Sequence, residues 1–314
     1  MWYKCLPVGA VGNQFTYCPS MGASILFAIL FGFTTIAHIW QAAHYKKPFT
    51  WVLIMSSIWQ TLAFIIRCVS IMLPTDVAIN NVTYCLVLLA PLWTNAFCYM
   101  VVARLVHMYM PNHSIMGVKG SWLASIFVLL DITAFIIQLI GALDAININF
   151  DVQKRGLHIY TGGISAQELF ILGFTVLTVM FMRKIKAGES TKADTSKAKK
   201  LTHLIYLVLG LISFRIIYRI IEFSSGFGSK ITRQIAQHEA WQYCFDTLPM
   251  FLAIVAFHVY HPGKVFQGPD SRFPSRKEKK AIKAQKKLEK EQRKAGAAAG
   301  GLSESESFEL AQRV

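Results

Sequence analysis

The chain has 314 residues, of which 54% are hydrophobic and only 16% are charged, and its mean hydropathy is +0.42. Because about 25% of the residues in a typical soluble domain are charged, this composition indicates a membrane protein rather than a soluble one. The net charge of +15 would suit a nucleic-acid-binding protein, but the positions of the basic residues argue against that class.

Seven stretches of the chain are each long and apolar enough to cross a bilayer. A helix needs roughly 20 residues to cross about 30 Å of hydrocarbon, and only helices or closed barrels satisfy their own backbone in lipid. The sequence therefore predicts an all-α fold, a polytopic bundle of seven transmembrane helices. In chain order, the predicted spans are residues 21–43, 50–73, 84–106, 120–143, 160–182, 201–223 and 241–260.

The basic residues predict the orientation of the bundle. Twenty-three lysines and arginines lie in loops and tail on one side of the spans, five lie on the other side, and four lie within spans. Cytoplasmic loops carry the excess of Lys and Arg, so we expect the N-terminus outside. The predicted regions are an extracellular segment at 1–20, a seven-span membrane domain at 21–263, and a cytoplasmic basic tail at 264–314 that is disordered or partly helical.

Both terminal regions and one loop carry candidate modification or binding features. Cys5 and Cys18 lie on the outer side, where an oxidising compartment permits a disulfide between them. Asn81, in an Asn-Val-Thr sequon, is a glycosylation candidate in the predicted loop after the second span, although its closeness to the membrane favours an unmodified side chain. The basic run at 276–294 is either attracted to anionic inner-leaflet lipid or solvated, and Ser303 is a phosphorylation candidate.

Polar residues within the spans mark the candidate site, because each is costly to hold in a bilayer and needs a partner. Four of them in the sixth span share one helix face through the i, i+3, i+4, i+7 spacing: Arg215, Tyr218, Arg219 and Glu222. The one-turn separation of Arg219 and Glu222 predicts an ion pair with a structural role. Arg104 and Glu239, near span ends, are also predicted to be structural, because such side chains either lock helices together or reach towards the headgroups.

The predicted substrate contacts are other polar residues at membrane depth. They are Asp131 and Gln138 in the fourth span, Gln167 in the fifth, and Tyr243 and Asp246 in the seventh. Asp246 has no basic residue at i±3 or i±4 in its own span, so its partner must come from another helix, a water or a ligand amine. We therefore expect Asp246 to contact the substrate and Glu222 to be structural. No catalytic residue, metal ligand set or cofactor is predicted.

In their order along the chain, these residues resemble the fungal lipid-translocating exporter family, the group named for resistance to aminocholesterol that includes sphingoid-base resistance proteins. The resemblance runs from Tyr17-Cys18-Pro19 to His261-Pro262-Gly263 and leaves out only the tail. Its most specific block is Arg215-Ile-Ile-Tyr218-Arg219-Ile-Ile-Glu222, followed by Gly226, Gly228, His238-Glu239, Tyr243, Phe245-Asp246 and Pro249-Met250. The chain departs from the family pattern ahead of Arg67, where Gln60, Ala63 and Phe64 replace a glutamate, a glycine and a tyrosine.

The resemblance implies a plasma-membrane protein that exports, translocates or confers resistance to amphipathic lipids, such as sphingoid long-chain bases or sterol-like amines. The chain has no G-x-x-x-x-G-K-[ST] loop, so ATP-driven pumping by this chain alone is not expected. Two other functions stay open: a lipid or stress receptor without transport activity, and a metal-dependent intramembrane lipid hydrolase. The hydrolase would require histidine and carboxylate ligands that converge at one depth, for which His38, His258 and His261 are available and Asp246 is possible.

Overall fold

Seven long helices make up most of the computed structural model, which describes residues 5–7, 10–146, 149–224, 237–267, 273, 284–285, 288 and 291–292. All seven are long and apolar enough to cross a membrane, which confirms the predicted fold class. In chain order they are α1 (Met21–Tyr45), α2 (Trp51–Met72), α3 (Val77–Tyr109), α4 (Gly120–Ala145), α5 (Phe150–Lys186), α6 (Ser196–Ser224) and α7 (residues 239–259). Consecutive helices from α1 to α6 pack side by side, and α7 packs against α6 and α1.

Two of the connections between helices contain short elements, and a further 3₁₀ turn at Pro262–Lys264 follows α7. A 3₁₀ turn at Pro48–Thr50 leads directly into α2. An antiparallel pair, β1 (Ser114–Ile115) and β2 (Val118–Lys119), joins α3 to α4. Because these connections are short, sequence neighbours must pack as antiparallel neighbours in the bundle.

Two helices begin well before the apolar stretches that predicted them. α3 begins at Val77 rather than at residue 84, and α5 begins at Phe150 rather than at residue 160. Side-chain caps explain these starts: Asp76 accepts the Ile79 N–H at 3.1 Å, and Asn149 accepts the Asp151 N–H at 3.0 Å. Hydropathy alone does not detect such polar first turns, since they extend the helix beyond its most apolar stretch.

The early start of α3 changes the setting of the glycosylation candidate. Asn81 lies in the second turn of α3, so its predicted loop position is wrong. Thr83, the third residue of the sequon, is buried and donates its hydroxyl proton to the Ile79 carbonyl at 3.0 Å. A helical, partly buried sequon makes a poor acceptor, because glycosylated asparagines lie in surface loops.

Glycines bring α4 and α5 into backbone contact. A Cβ atom added at Gly141 would overlap the backbone of Tyr160, and one added at Gly156 would overlap the backbone of Ala145. Small residues of this kind allow close helix packing in membranes. The contact holds the last turns of α4 against the first turns of α5.

α7 contains a π-helical turn. Its backbone is α-helical at Glu239–Gln242, π-helical at Tyr243–Thr247 and α-helical again at Leu248–Val259. Pro249, just after the turn, has no N–H to donate to the carbonyl four residues before it, and its ring crowds that carbonyl. π turns are rare and occur frequently at functional sites; this one carries Asp246.

The chain divides into two compact units, Met1–Ser271 and Arg272–Val314. In the first unit, buried structure continues past residue 263: Val265 and Phe266 are buried, and the Phe266 ring meets the Phe49 ring edge-on at 5.7 Å. The predicted tail boundary at 264 is therefore too early. Ser303 and most of the basic run at 276–294 lie outside the described residues.

Candidate functional site

An arginine-centred network closes one end of the bundle, the end at which α1 and α7 begin. Arg67 of α2 forms an ion pair with Glu239 of α7, with Nη2 and Oε1 2.8 Å apart, and the same nitrogen donates to the Tyr17 hydroxyl at 2.8 Å. Tyr243 donates to Glu239 Oε1 at 3.1 Å, and its hydroxyl lies 2.9 Å from the Ser24 hydroxyl. This Arg67 network (Tyr17, Ser24, Arg67, Glu239, Tyr243) joins the N-terminal segment to α1, α2 and α7.

The N-terminal segment belongs to this end of the bundle rather than standing apart from it. Cys5 and Cys18 are bonded, with their Cα atoms 5.7 Å apart, and Phe15 is buried. Burial raises the pKa of Tyr17 to about 12, although the nearby Arg67 guanidinium acts in the opposite direction. Tyr17 is therefore a neutral hydroxyl at physiological pH, and it accepts from Arg67 while donating to Gln242 at 3.1 Å.

α6 contributes two further arginines, each paired with a carboxylate. Arg215 Nε lies 2.8 Å from Asp246 Oδ1, so the partner of Asp246 comes from another helix. Arg219 Nη1 lies 3.3 Å from Glu222 Oε2, as the one-turn spacing predicts, and Arg219 Nη2 donates to the Tyr160 hydroxyl at 2.6 Å. Each buried guanidinium thus has a carboxylate partner, which offsets much of the cost of holding it in low dielectric.

A cavity of about 320 Å³ lies beside these pairs at the same end of the bundle. Its walls come from the N-terminal segment and from α3, α4, α5, α6 and α7. The polar wall includes Tyr17, Tyr160, Tyr218, Arg219, Glu222 and Glu239, and the apolar wall includes Leu88, Leu139, Leu143 and Leu157. Ligand sites commonly combine an apolar lining with a few convergent polar groups. Here the division into a charged wall and an apolar wall fits an amphipathic ligand.

Among the carboxylates of the three buried ion pairs, that of Glu222 is the most exposed. Its side chain is 18% exposed, against 10% for Glu239 and 3% for Asp246. Glu239 already accepts hydrogen bonds from Arg67, Tyr243 and the Ser20 N–H. Asp246 is not among the described residues that line the cavity. From the sequence, we expected Asp246 to contact the substrate and Glu222 to be structural. In the structure Asp246 is held in a buried ion pair, and Glu222 lines the cavity.

The remaining predicted substrate contacts join helices to one another. Asp131 accepts hydrogen bonds from Asn95 and Tyr99 of α3 at 3.0 and 2.9 Å. Gln138 of α4 donates to Gln167 of α5 at 2.9 Å. The described cavity wall includes neither Asp131 nor this glutamine pair, and Tyr243 belongs to the Arg67 network. Interhelical hydrogen bonds of this kind hold membrane bundles together.

The two residues near span ends that were predicted to be structural both have partners inside the bundle. Glu239 does not reach outwards, because it is enclosed in the Arg67 network. Arg104 packs its guanidinium over the Phe49 ring, 4.1 Å from the ring centroid. Both side chains therefore contribute to packing inside the bundle.

The histidines of the hydrolase hypothesis form ring stacks. The His38 and His258 rings stack with centroids 3.6 Å apart, and His261 stacks on Tyr45 at 4.5 Å. Stacked parallel rings do not direct their nitrogen lone pairs at a common point between them. Within the part of the chain that the structure describes, no group of three or more His, Cys, Asp or Glu side chains is arranged to hold a metal ion.

Three residues of this region were missed from the sequence: Tyr17, Arg67 and Tyr160. Arg67 could have been identified, because it is the one charged residue of its span and must find a partner there. Tyr17 stands at the start of the family resemblance, but neither tyrosine indicated its contacts, since tyrosine is common near membrane interfaces whatever its partners.

The protein is a multi-pass integral membrane protein. Its seven apolar helices surround paired charges and a cavity with both polar and apolar walls. The chain belongs to the family described as RTA1 like protein, whose model matches residues 53–269, and this confirms the resemblance seen in the sequence.

Named fungal relatives match most of the chain. It is 41% identical to "Probable lipid transporter atnI" of Emericella nidulans, over 87% of this chain and 74% of that protein. It is 25% identical to "Lipid-translocating exporter-like protein RTA1" of Leptosphaeria maculans, over 83% and 53% of the two chains. It is 22% identical to "Sphingoid long-chain base transporter RSB1" of Saccharomyces cerevisiae, over 82% and 75%. No solved structure matches the chain significantly.

Proposed function

We propose that this protein exports or translocates amphipathic lipids and binds their cationic head at Glu222. The observation that carries the proposal is the cavity, which combines the Arg219–Glu222 pair with apolar walls from α3, α4 and α5. The relatives support the lipid class by their names, a probable lipid transporter, a lipid-translocating exporter-like protein and a sphingoid long-chain base transporter. The proposed ligand is an amphipathic amine, either a long-chain amine such as a sphingoid base or a sterol-like amine.

The charges of the polar wall favour an amine head. Of the two carboxylates in the described wall, Glu239 is already paired with Arg67, so Glu222 is the carboxylate left for a ligand. The contact between Arg219 and Glu222 is the longest of the three buried ion pairs, at 3.3 Å against 2.8 Å for the other two. An ammonium group carries three donors, so it can pair with Glu222 and also bond to the hydroxyls of Tyr160 and Tyr218.

We place the cavity on the extracellular side of the plasma membrane. Basic residues occur at the opposite end of the bundle, where Arg183, Lys184 and Lys186 close α5, and the positive-inside rule assigns that end to the cytoplasm. In this orientation the basic residues after residue 267 lie on the cytoplasmic side, and we propose that they are attracted to anionic lipid of the inner leaflet. Attraction to anionic lipid contributes about 1 kcal/mol for each basic residue near the surface.

Reconstitution into liposomes tests the transport function. A fluorescent sphingoid base is loaded into one leaflet, and its movement to the other is followed by quenching, with and without an ion gradient. The purified protein should accelerate movement relative to empty liposomes, Glu222→Gln should abolish the acceleration, and the control Asp144→Asn should retain it. Equal rates in proteoliposomes and empty liposomes would contradict transport and favour a lipid receptor.

A further inference from the structure

We propose that the cavity opens sideways into the bilayer between α3 and α4, and that the alkyl chain of a bound lipid passes through this opening. We call the opening the portal and define it by Tyr84 and Cys85 of α3, Leu143 of α4, and Ile146, the residue just after α4. The proposal rests on the proposed lipid-binding role of the cavity and adds the route by which a lipid enters.

The portal residues belong both to the cavity wall and to the outer surface of the bundle. Tyr84 is 44% exposed, Leu143 and Ile146 are each 59% exposed, and Cys85 is an exposed free thiol. On the polar wall, by contrast, Arg219 is buried. The cavity therefore runs from buried charged groups to an apolar opening on the side of the bundle.

Helix packing explains why an opening exists at this place. In the middle of the bundle α3 and α4 are joined, because Asn95 and Tyr99 of α3 donate to Asp131 of α4. At the cavity end, α4 packs instead on α5 through Gly141 and Gly156. The first turns of α3 and the last turns of α4 are consequently left facing each other across the cavity.

The position of the portal along α3 and α4 places it at the outer edge of the hydrocarbon core. α3 has 33 residues and is centred on residue 93. At about 1.5 Å per residue, Cys85 lies about 12 Å from that centre, which is within the half-thickness of about 15 Å of a bilayer core. Outward-facing neighbours of the portal are apolar as well, with Val82 47% exposed and Ile140 51% exposed. α4 is centred near residue 132, so Leu143 lies about 16 Å from its centre by the same rise. The portal therefore lies at the outer edge of the hydrocarbon core, where a ligand still meets lipid chains on the α3 side.

The size of the cavity favours an occupant that stays partly in the bilayer. A volume of about 320 Å³ lies at the lower end of the range of about 300–1,000 Å³ for small-molecule sites. A lipid that places its amine at Glu222 and threads its chain through the portal keeps the remaining chain in hydrocarbon. Only the head and the first part of the chain then need space in the protein.

Two cysteines provide a built-in test of the portal. Among the described residues, the exposed free cysteines are Cys85 and Cys244, and Cys244 is not part of the described cavity wall. The variant Cys244→Ala keeps the portal thiol, and the variant Cys85→Ala keeps the control thiol. Both variants retain Cys68 and Cys98, so labelling of those two residues is the same in each.

The measurement is the rate of alkylation by a membrane-permeant maleimide in nanodiscs, with and without octadecylamine. At ten times the dissociation constant, about one site in eleven stays empty. Labelling of the portal thiol should therefore slow about tenfold, and labelling of the control thiol should not change. Propylamine, which has the same head and a much shorter chain, should protect Cys85 far less.

Binding of octadecylamine, measured in parallel by titration calorimetry, separates the possible failures. Binding without protection of Cys85, or equal protection of both thiols, would overturn the portal and leave the proposed function standing. Absence of binding would contradict the proposed function and the portal together.

Discussion

Removal of one partner of the buried Arg215–Asp246 ion pair should strongly destabilise the bundle. The two side chains are 7% and 3% exposed, and the paired atoms are 2.8 Å apart. Asp246→Asn would leave the Arg215 guanidinium buried beside a neutral amide. Breaking a buried ion pair in this way costs about 3–5 kcal/mol, and we expect a loss of that size in the free energy of unfolding.

The Arg155–Asp144 pair offers a matched control for the same chemical change. Its paired atoms lie 3.2 Å apart, but its side chains are 65% and 29% exposed. Exposed pairs contribute about 0–1 kcal/mol, so Asp144→Asn should have little effect. The double variant Arg215→Met with Asp246→Leu removes both buried charges and should recover most of the lost stability, because apolar groups replace a buried pair at little cost.

Unfolding in mixed micelles, titrated with sodium dodecyl sulfate and followed by circular dichroism, compares these variants. The expected order of stability places wild type and Asp144→Asn together, the double variant slightly below them, and Asp246→Asn lowest. Equal stability of Asp246→Asn and Asp144→Asn would refute the reasoning. A double variant as unstable as Asp246→Asn would show that local packing, rather than the unpaired charge, accounts for the loss.

Three further predictions concern packing and protonation. Gly141→Leu should lower the melting temperature, because its side chain would overlap the α5 backbone. Gly162→Leu should be tolerated, because a Cβ atom there meets nothing within 4 Å. Similar melting temperatures for the two variants would contradict the close approach of α4 to α5. Deletion of residues 268–314 should leave protein that is monodisperse in size-exclusion chromatography. Phe266→Ala in the full chain should instead lower the free energy of unfolding by about 3–5 kcal/mol, because it empties a fully buried site. Because the native pKa of Tyr17 is raised to about 12, its neutral form contributes stability that is complete below about pH 10 and is lost as the pH rises towards 12. Tyr17→Phe should remove this part of the pH dependence, and an unchanged pH profile of unfolding would count against a buried Tyr17.

The helices and one helix face were predictable from sequence because both depend on local pattern. Apolar length defines the seven spans, and the i, i+3, i+4, i+7 spacing places Arg219 beside Glu222. The caps at Asp76 and Asn149 extend α3 and α5 into polar sequence, which an apolar stretch does not reveal.

The pairing between helices was not predictable, because no local pattern fixes which spans meet. Glu239 lies 172 residues after its partner Arg67. Asp246 was expected to need a ligand or another helix, and only the packing of α6 against α7 identifies Arg215 as its partner. That packing also leaves Glu222, rather than Asp246, on the cavity wall.

Binding of a long-chain amine at Glu222 is the central claim, and titration calorimetry of octadecylamine into purified protein tests it most directly. A hydrogen bond to a charged group contributes about 1.5–3 kcal/mol, so Glu222→Gln should weaken binding by about tenfold or more. Asp144→Asn should bind as the wild type does, and melting temperatures measured alongside establish that each variant is folded. Folded Glu222→Gln protein that binds octadecylamine with wild-type affinity would contradict the claim.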